Sequence, residues 1–522
     1  MAAKKKPVEP SPEESESLEF PVPADGEFTV EGMLTAEWGC NLTKATNVQR
    51  AACRVIGGQS LGNLRHDPDV VDLFGGNVPL FAGVPSICVL LWAIRGAKSM
   101  ISVCTALVAS QREFGVELKP GDSIRIPIVS TETETAKATF QHLSGAMNST
   151  GFLRSLIVKE TADSIIVRHP TGRNVEIKVV ALSRAGSTLV GRWMPCVIFD
   201  EGPRMGSDAE FVKSLKESFN AVQGRIMPGG TIMLPGSPHK PVGMIFELHE
   251  KFFGASSDDC VVFHATGPKV NPSWWTPERC AWLARTNPKL YRRDVLAEFD
   301  DGDDSLFGYR SIDAAMKEDP ANDTRRSAYV TTLFPASHRA AWTLVVLETW
   351  EDKGAQLHRV ALARETEEVV MTQLAETLKP FKLDSVMVPV GTSWSMLDDA
   401  EAAGMTFIPE DLESGDLLEQ CRELQALLDS GRIYLPRDKL LRGDLIRAQR
   451  LPTPDGNARV SFPLDEEGRR CDYAPLLARA LKCAAPPPAP EEDKPDDLAV
   501  ELERLARRNA DGGVFDAFRR FG

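Results

Sequence analysis

The chain has 522 residues, 43% of them hydrophobic, and a formal net charge of −14. That length exceeds what one hydrophobic core serves, so two substantial domains are expected; the acidity excludes a protein that coats nucleic acid through bulk positive charge, while leaving room for a local basic channel. Ten cysteines without a Cys-x-x-Cys pair or a zinc-like Cys/His spacing point to reduced, mostly buried thiols in a cytosolic protein, with no structural metal. The basic start, residues 1–10, is not followed by an apolar segment, so no secretory signal is read, and no apolar run is long enough to span a bilayer.

Residues 1–30, rich in Pro, Glu, Ser and Lys, read as a disordered arm. Within residues 42–61, Thr46-Asn47-Val48-Gln49-Arg50 precedes Ala51, Ala52, Val55 and Ile56, which predicts an amphipathic helix capped by Thr or Asn, with Gln49 at its start. Residues 86–92 (SICVLLW) predict a buried strand. The turn Ala93-Ile94-Arg95-Gly96-Ala97-Lys98-Ser99 follows, then an apolar helix through Val103, Leu107 and Val108. In this order backbone N–H groups can attract phosphate, Lys98 can add a point charge and Ser99 can ligate Mg2+. The match to a standard phosphate loop is incomplete: Trp92 holds the first glycine position, and Ala97 stands just before the lysine.

Residues 123–130 predict a strand leading into a helix over 131–143. Residues 174–182 alternate polar and apolar, then lead through Arg184 and Arg192 to Met194-Pro195-Cys196-Val197-Ile198-Phe199-Asp200-Glu201-Gly202. That last run is too short for a helix and reads as a buried parallel strand whose carboxyl end opens into a crevice. By itself it also fits a strand that merely ends in a solvated acidic turn. In a P-loop enzyme the first acid would hold Mg2+ and the second would polarise the attacking water. Residues 230–238 (GTIMLPGSP) add a buried strand ending in Gly236-Ser237-Pro238. Strands alternating with helices predict a parallel, helix-flanked sheet with its ligand loops at one edge.

Trp274 and Trp275 are expected to pack at a domain interface, base stacking being the alternative. A helical stretch over 279–296 and an acidic run over 300–304, read as a solvated linker, follow. From residue 326 the pattern restarts, with strand-like runs at 327–334, 342–350 and 358–363 suggesting an antiparallel meander. A helix over 367–378, a strand over 384–390, a helix over 417–428, a short strand over 432–436 and a last helix over 472–484 complete the order of an RNase H-like sheet. A Pro-rich stretch, 486–495, and a charged tail close the chain.

With Gln49, the Lys98-Ser99 loop, Asp200-Glu201 and Gly236-Ser237-Pro238 in this order, and a second domain of the right length behind them, the chain resembles the large terminase subunit of tailed phages over most of residues 40–485. The resemblance implies an α/β protein: an arm (1–30), a P-loop NTPase domain with a parallel-rich sheet (31–250), a connecting segment (251–325), an RNase H-like nuclease domain (326–485) and a tail (486–522). It implies an ATP hydrolase, using Mg2+, that drives double-stranded DNA into a procapsid. Such a motor works as a homo-oligomeric ring in the host cytoplasm, with a portal protein and a small terminase subunit as partners and no membrane.

Carried over by position, Gln49 looks like the adenine-reading glutamine, and Gly96, Ala97, Lys98 and Ser99 like the loop that holds ATP. Ser99 and Asp200 look like the Mg2+ ligands, Glu201 like the catalytic acid, and Gly236, Ser237 and Pro238 like the segment that couples phosphate state to DNA grip. Arg95, Arg184 and Arg192 are candidates for stabilising charge in the transition state.

An RNase H-like nuclease needs carboxylates converging on two divalent ions about 4 Å apart. Where the family places its first Asp this chain reads Thr332-Leu333-Phe334, and where it places the second, Val388-Pro389-Val390-Gly391. Asp472 alone matches the third position. Asp384, Asp398 and Asp399 lie nearby, at a strand start and in a helix. The expectation is a retained fold whose nuclease activity and divalent metals are lost or weak. A motor with a working nuclease is one alternative; a decayed scaffold that binds portal or small subunit is another. A helicase or repair ATPase shares the first domain but leaves the second unexplained.

Overall fold

The central strands of the first sheet, Ile87–Trp92 and Met194–Phe199 among them, are buried on both faces. The computed structural model describes residues 21–484 apart from 25, 80–82, 132, 183–188, 190, 206–208, 303, 317–327, 335–341, 353–354, 366–370, 413–415, 454–457, 465–468, 470 and 472. Most of the expected arm, Arg184, part of the acidic run, the start of the helix expected at 367, Asp472 and the tail therefore lie outside the described residues. The chain divides into two units, one of residues 1–313, 338–340 and 438–475, the other of residues 314–337, 341–437 and 476–522.

In the first unit, β1 (Ile87–Trp92), β2 (Ile124–Ser130), β3 (Ile157–Glu160), β4 (Ser164–Arg168), β5 (Asn174–Ala181), β6 (Met194–Phe199), β7 (Ile226–Gly236) and β8 (Cys260–Ala265) form one sheet in the order β3-β4-β5-β2-β6-β7-β1-β8. β5, β2, β6, β7, β1 and β8 run parallel, and β3 and β4 add an antiparallel edge. Alternate side chains of β1 serve opposite cores. Cys88, Leu90 and Trp92 pack with the helices Asn47–Ile56, Lys98–Ala109 and Thr133–Ser149, whereas Val89 and Leu91 pack with Ala209–Gln223 and Gly243–Phe252. The β6–β7 register shifts between Met194 and Cys196, around Pro195, which has no N–H to give to a ladder.

The boundary expected at residue 250 is displaced. Residues 260–265, assigned above to a connecting segment, are β8, laddered to β1 from Ile87↔Cys260 to Trp92↔Ala265. Four apolar residues behind a Ser-Asp turn suffice to complete the sheet edge.

The second unit holds β9 (Ala328–Phe334), β10 (Trp342–Asp352) and β11 (Ala355–Glu365) as an antiparallel meander. β12 (Ser385–Pro389) runs parallel to β9, β13 (Thr406–Glu410) parallel to β12, and β14 (Ile433–Tyr434) parallel to β11. The order β13-β12-β9-β10-β11-β14 is that of an RNase H-like sheet. Leu333, Leu344, Val346, Val386 and Val388 form its core with Leu374 and Leu378 of the helix Met371–Leu378.

Residues 438–475, expected in the nuclease domain, pack with the first unit instead. Their helix Lys439–Arg447 presents Arg442 to Asp313 at 2.7 Å and to Glu250 at 3.0 Å. Behind it, the fully buried Asp444 accepts from Arg469 at 2.7 Å, Arg447 at 2.9 Å and the Tyr473 N–H at 3.0 Å. The hairpin β15 (Gln449–Pro452) and β16 (Ala458–Ser461) follows, and Ala448 accepts from Leu306 N–H at 2.9 Å. Among the described residues no helix is long and apolar enough to cross a membrane.

Candidate active site

Because β6, β7 and β1 are parallel neighbours, their carboxyl ends lie abreast. The turn after β1, Ser237 after β7 and Asp200-Glu201 after β6 therefore share one edge of the first sheet.

The turn after β1 has the backbone of a phosphate cradle. Arg95 and Ala97 both take left-handed conformations, with φ of 61° and 66°. Ala97 thus adopts what a glycine before the lysine would adopt freely, at a cost of about 1 kcal/mol. Gly96 is required for space: a Cβ there would sit 2.8 Å from Val270 Cγ2 and 3.1 Å from the Ala93 oxygen. The helix Lys98–Ala109 starts at once, which aims its first N–H groups at the edge.

Lys98 is buried. Its ammonium donates to the carbonyls of Trp92 at 2.8 Å and Ala93 at 3.0 Å, and to Ser237 Oγ at 3.0 Å. Those contacts use all three of its protons. Burial drags the ammonium down to about 8, against the pull of Glu201, Asp200 and Asp294. Asp200 is buried too, and burial pushes its carboxyl up to about 6 even though Thr139 Oγ1 donates to it at 2.5 Å. Both groups are therefore poorly solvated charges facing the same edge.

Glu201 differs from its neighbour. Its side chain is 35% exposed, with Arg204 3.9 Å away, and its backbone has a φ of 55°. A left-handed glutamate is a strained residue, of the kind concentrated where geometry matters more than comfort. Gly236 permits the close approach of β7 to this turn, because a Cβ on it would run into Pro203 Cδ and lie 2.8 Å from Pro203 Cγ.

Gln49 is 5% exposed and fully engaged. Its Oε1 accepts from Thr46 N–H at 3.0 Å, closing a capping box, and its Nε2 donates to the Gly96 carbonyl at 3.1 Å. It thereby ties the helix Asn47–Ile56 to the phosphate loop. Ser99 stands half-buried in the first turn of its helix. Arg95 is exposed at the loop, with its guanidinium 5.6 Å from the Trp274 ring.

Arg192 is not brought to this edge. It lies before β6, where it donates to Ser123 Oγ, whereas Asp200 follows the last residue of β6. A strand of that length separates the two ends by on the order of 20 Å.

Trp275 corrects a second expectation. It braces the phosphate loop, donating from Nε1 to the Ile94 carbonyl at 3.0 Å and packing with Cys280, Leu283 and Val295. Asn271 Nδ2 adds a bond to the Arg95 carbonyl at 2.8 Å. Thr139 and Arg204 are site residues that the sequence pattern does not single out. The first is one threonine among several in its helix; the second could have been found from its i+3 spacing to Glu201.

The corresponding edge of the second sheet carries different groups. Thr332 is fully buried opposite Met387, and its Oγ1 finds no hydrogen-bond partner among the described residues. β12 ends at Pro389; beyond it Val390 is 70% and Trp394 82% exposed. Asp398 and Asp399 lie within the helix Trp394–Ala402, and Asp384 precedes β12. No cluster of three or more His, Cys, Asp or Glu side chains suited to a metal ion occurs among the described residues.

The first unit is thus a P-loop NTPase-like α/β fold and the second an RNase H-like one. No protein-family model matches the chain, and no curated protein matches it. Solved structures to which it is similar are large terminases. The large terminase of bacteriophage HK97 is 14% identical, with 84% of this chain and 100% of that chain covered and a TM-score of 0.40. The large terminase of a thermophilic bacteriophage, in complex with ADP, is 12% identical, covering 76% of this chain and 93% of that one, at a TM-score of 0.31. The large terminase nuclease of the thermophilic phage G20c is 18% identical over 35% of this chain and 100% of that one, at 0.26. Superpositions this loose say nothing about the reaction, which has to be read from the site itself.

Proposed function

We propose that the chain is an ATP-hydrolysing motor of the large-terminase kind, which moves double-stranded DNA into a procapsid, and that its second unit keeps the RNase H-like fold with little or no nuclease activity. The observation that carries this reading is the convergence of Lys98, Ser237, Asp200 and Glu201 from the ends of three neighbouring parallel strands.

The residues present fit a magnesium nucleotide. Gly96 and the two left-handed residues beside it leave a cradle of backbone, and Lys98 and Asp200 are desolvated charges whose hydrogen-bond partners are neutral groups. Ser99 and Asp200 would be the protein ligands of Mg2+, which would offset charge on the phosphates. Lys98 would exchange the two carbonyls and Ser237 Oγ for phosphate oxygens, a better match for an ammonium in a dry site. Ser237 would lose its present donor in that exchange, so the segment after β7 registers whether nucleotide is bound. Thr139 holds Asp200, and Glu201, partly exposed beside Arg204, is the acid that would orient water. Gln49 fixes Gly96 and would have to give up existing bonds to read adenine.

Arg95 can serve its own loop. Arg192 can act only in the site of a neighbouring protomer in a ring. Portal protein, small terminase subunit and the cytoplasm of a bacterial host complete the proposal, through the resemblance alone.

The test is DNA-stimulated ATP hydrolysis by the full chain and by Glu201→Ala, with Mg2+- and Mn2+-dependent plasmid nicking followed in the same tubes. Hydrolysis falling by at least ~100-fold in the variant, without nicking in either, is expected. Hydrolysis that survives the substitution sinks the assignment of Glu201. Nicking that disappears in Asp472→Ala shows a working second site.

A further inference from the structure

The helix Pro277–Thr286 and the turns after it form a cationic surface on an acidic protein. Residues 279–293 include five basic side chains and no acidic one, in a chain of net charge −14. Lys289 and Arg293 meet Asp300 at 3.6 Å and Asp294 at 2.8 Å. Among the described residues no carboxylate pairs with Arg279, Arg285 or Arg292, and all three are exposed. Cys280 and Leu283 make the buried side of the helix. The opposite side carries Arg279, Trp282 and Arg285 at successive steps of three, which places the arginines on either side of a tryptophan that is 54% exposed. Arg279 also lies 4.0 Å from the ring of Trp274, which is 39% exposed.

We propose that this face binds the sugar-phosphate backbone of DNA, the arginines meeting phosphates and Trp282 lying against sugar or base. Arginines without carboxylates beside open indole rings suit a polyanion with flat aromatic faces, and they supply the local positive field that the chain as a whole lacks. The same segment is wired to the nucleotide site. Asn271 and Trp275 bond the carbonyls of Arg95 and Ile94, and Arg95 reaches the ring of Trp274 that Arg279 covers. A strand of DNA that shifts Arg279 and Trp274 therefore pulls on the phosphate loop. The inference deepens the motor reading, yet binding is measurable without hydrolysis, so either can fail alone.

The experiment uses the full chain, without nucleotide, and fluorescence anisotropy of a labelled 30-base-pair duplex across a KCl series, with single-stranded oligo-dT of equal length as a second arm. For R279A/R285A/R292A the affinity at low salt is expected to fall at least tenfold. The slope of log K against log salt is expected to become shallower by roughly 2 to 3, since each phosphate contact contributes about 0.9. W282A should weaken binding several-fold and leave the slope unchanged. R285K/R292K, which keeps the charge, should retain the slope and so separates charge from folding. In R285A/R292A the basal hydrolysis should match wild type while stimulation by DNA is lost. Wild-type affinity and slope in the triple variant overturn the proposal, as does a wild-type chain that binds neither form of DNA. A triple variant that binds DNA normally but loses a self-association seen by light scattering also overturns it, assigning the face to a second copy of the chain.

Discussion

The carboxyl edge of the first sheet and its counterpart in the second are made by the same device, parallel strands ending side by side, and are filled oppositely. At the first, a buried lysine and a buried aspartate face each other across left-handed turns at Arg95, Ala97 and Glu201. At the second, the ends of β9 and β12 offer Thr332, Pro389 and Val390. A parallel sheet supplies a crevice without further cost; loading it with chemistry costs stability, through desolvated charge and backbone strain. Under the function proposed above, the edge that carries these costs is the one that works on nucleotide, and the edge free of them is a packing surface.

Gly236→Ala should break this difference most severely. The new Cβ collides with Pro203, so the end of β7 and the Asp200-Glu201 turn must part, at about 2 kcal/mol in stability. ATP turnover should fall at least tenfold, because Ser237 and Lys98 part with them; turnover within twofold of wild type would show that the strand ends need not meet so closely.

Acid should reach the first unit through a histidine pair behind its site. His249 Nε2 and His264 Nδ1 are 3.0 Å apart, and burial together with His264 holds His249 down to about 3. In the unfolded chain His249 titrates near 6.5, so between about 6.5 and 3 the unfolded state binds more protons. Stability is then full above pH 6.5 and declines as pH falls through that window, by about 2 kcal/mol at pH 5. Protection of the amides of the helix Gly243–Phe252, taken relative to intrinsic exchange at each pH, should fall correspondingly between about pH 7 and pH 5, and His249→Phe should remove most of the dependence. An equal loss of protection in the variant would place the acid sensitivity elsewhere.

The strands of both sheets that matter for the sites were legible because each is a short apolar run between turn residues. That Lys98, Asp200, Glu201 and Ser237 share one edge was legible because each follows a short apolar run that reads as a parallel strand. β8 was missed because its run is only as long as many loop fragments, and β3 and β4 because an edge hairpin needs little apolar patterning. Arg192 was misplaced because spacing along a strand does not say which end faces the ligand. Residues 438–475 were assigned to the wrong unit since the contacts that hold them, Arg442 to Asp313 and Glu250, span sequence separations that no local pattern records. Thr139 had no signal at all: its role exists only because the helix Thr133–Ser149 carries it to Asp200.

Ala97→Gly sharpens the contrast at the first edge. Glycine takes a φ of 66° without strain, so the ligand-free protein should gain about 1 kcal/mol, read as a rise in the denaturant midpoint at unchanged slope. A loss of stability would mean that the methyl group contributes packing worth more than the strain it brings.

Thr332→Val probes the second edge and should have the smallest effect. The hydroxyl of Thr332 is fully buried without a partner among the described residues, and valine has the same shape without the polar atom. Removing a desolvated hydroxyl that makes no hydrogen bond should stabilise the second unit by roughly 0.5 to 1 kcal/mol. An aspartate-bearing nuclease site would respond otherwise, because the position on β9 would be surrounded by groups arranged to hold metal-bound oxygen, and an apolar side chain there would cost activity. If Thr332→Val leaves hydrolysis and stability intact or improved and nicking stays absent, the second edge is a packing surface; if the substitution abolishes a measurable Mn2+-dependent nicking, the two edges are both functional and the contrast between them fails.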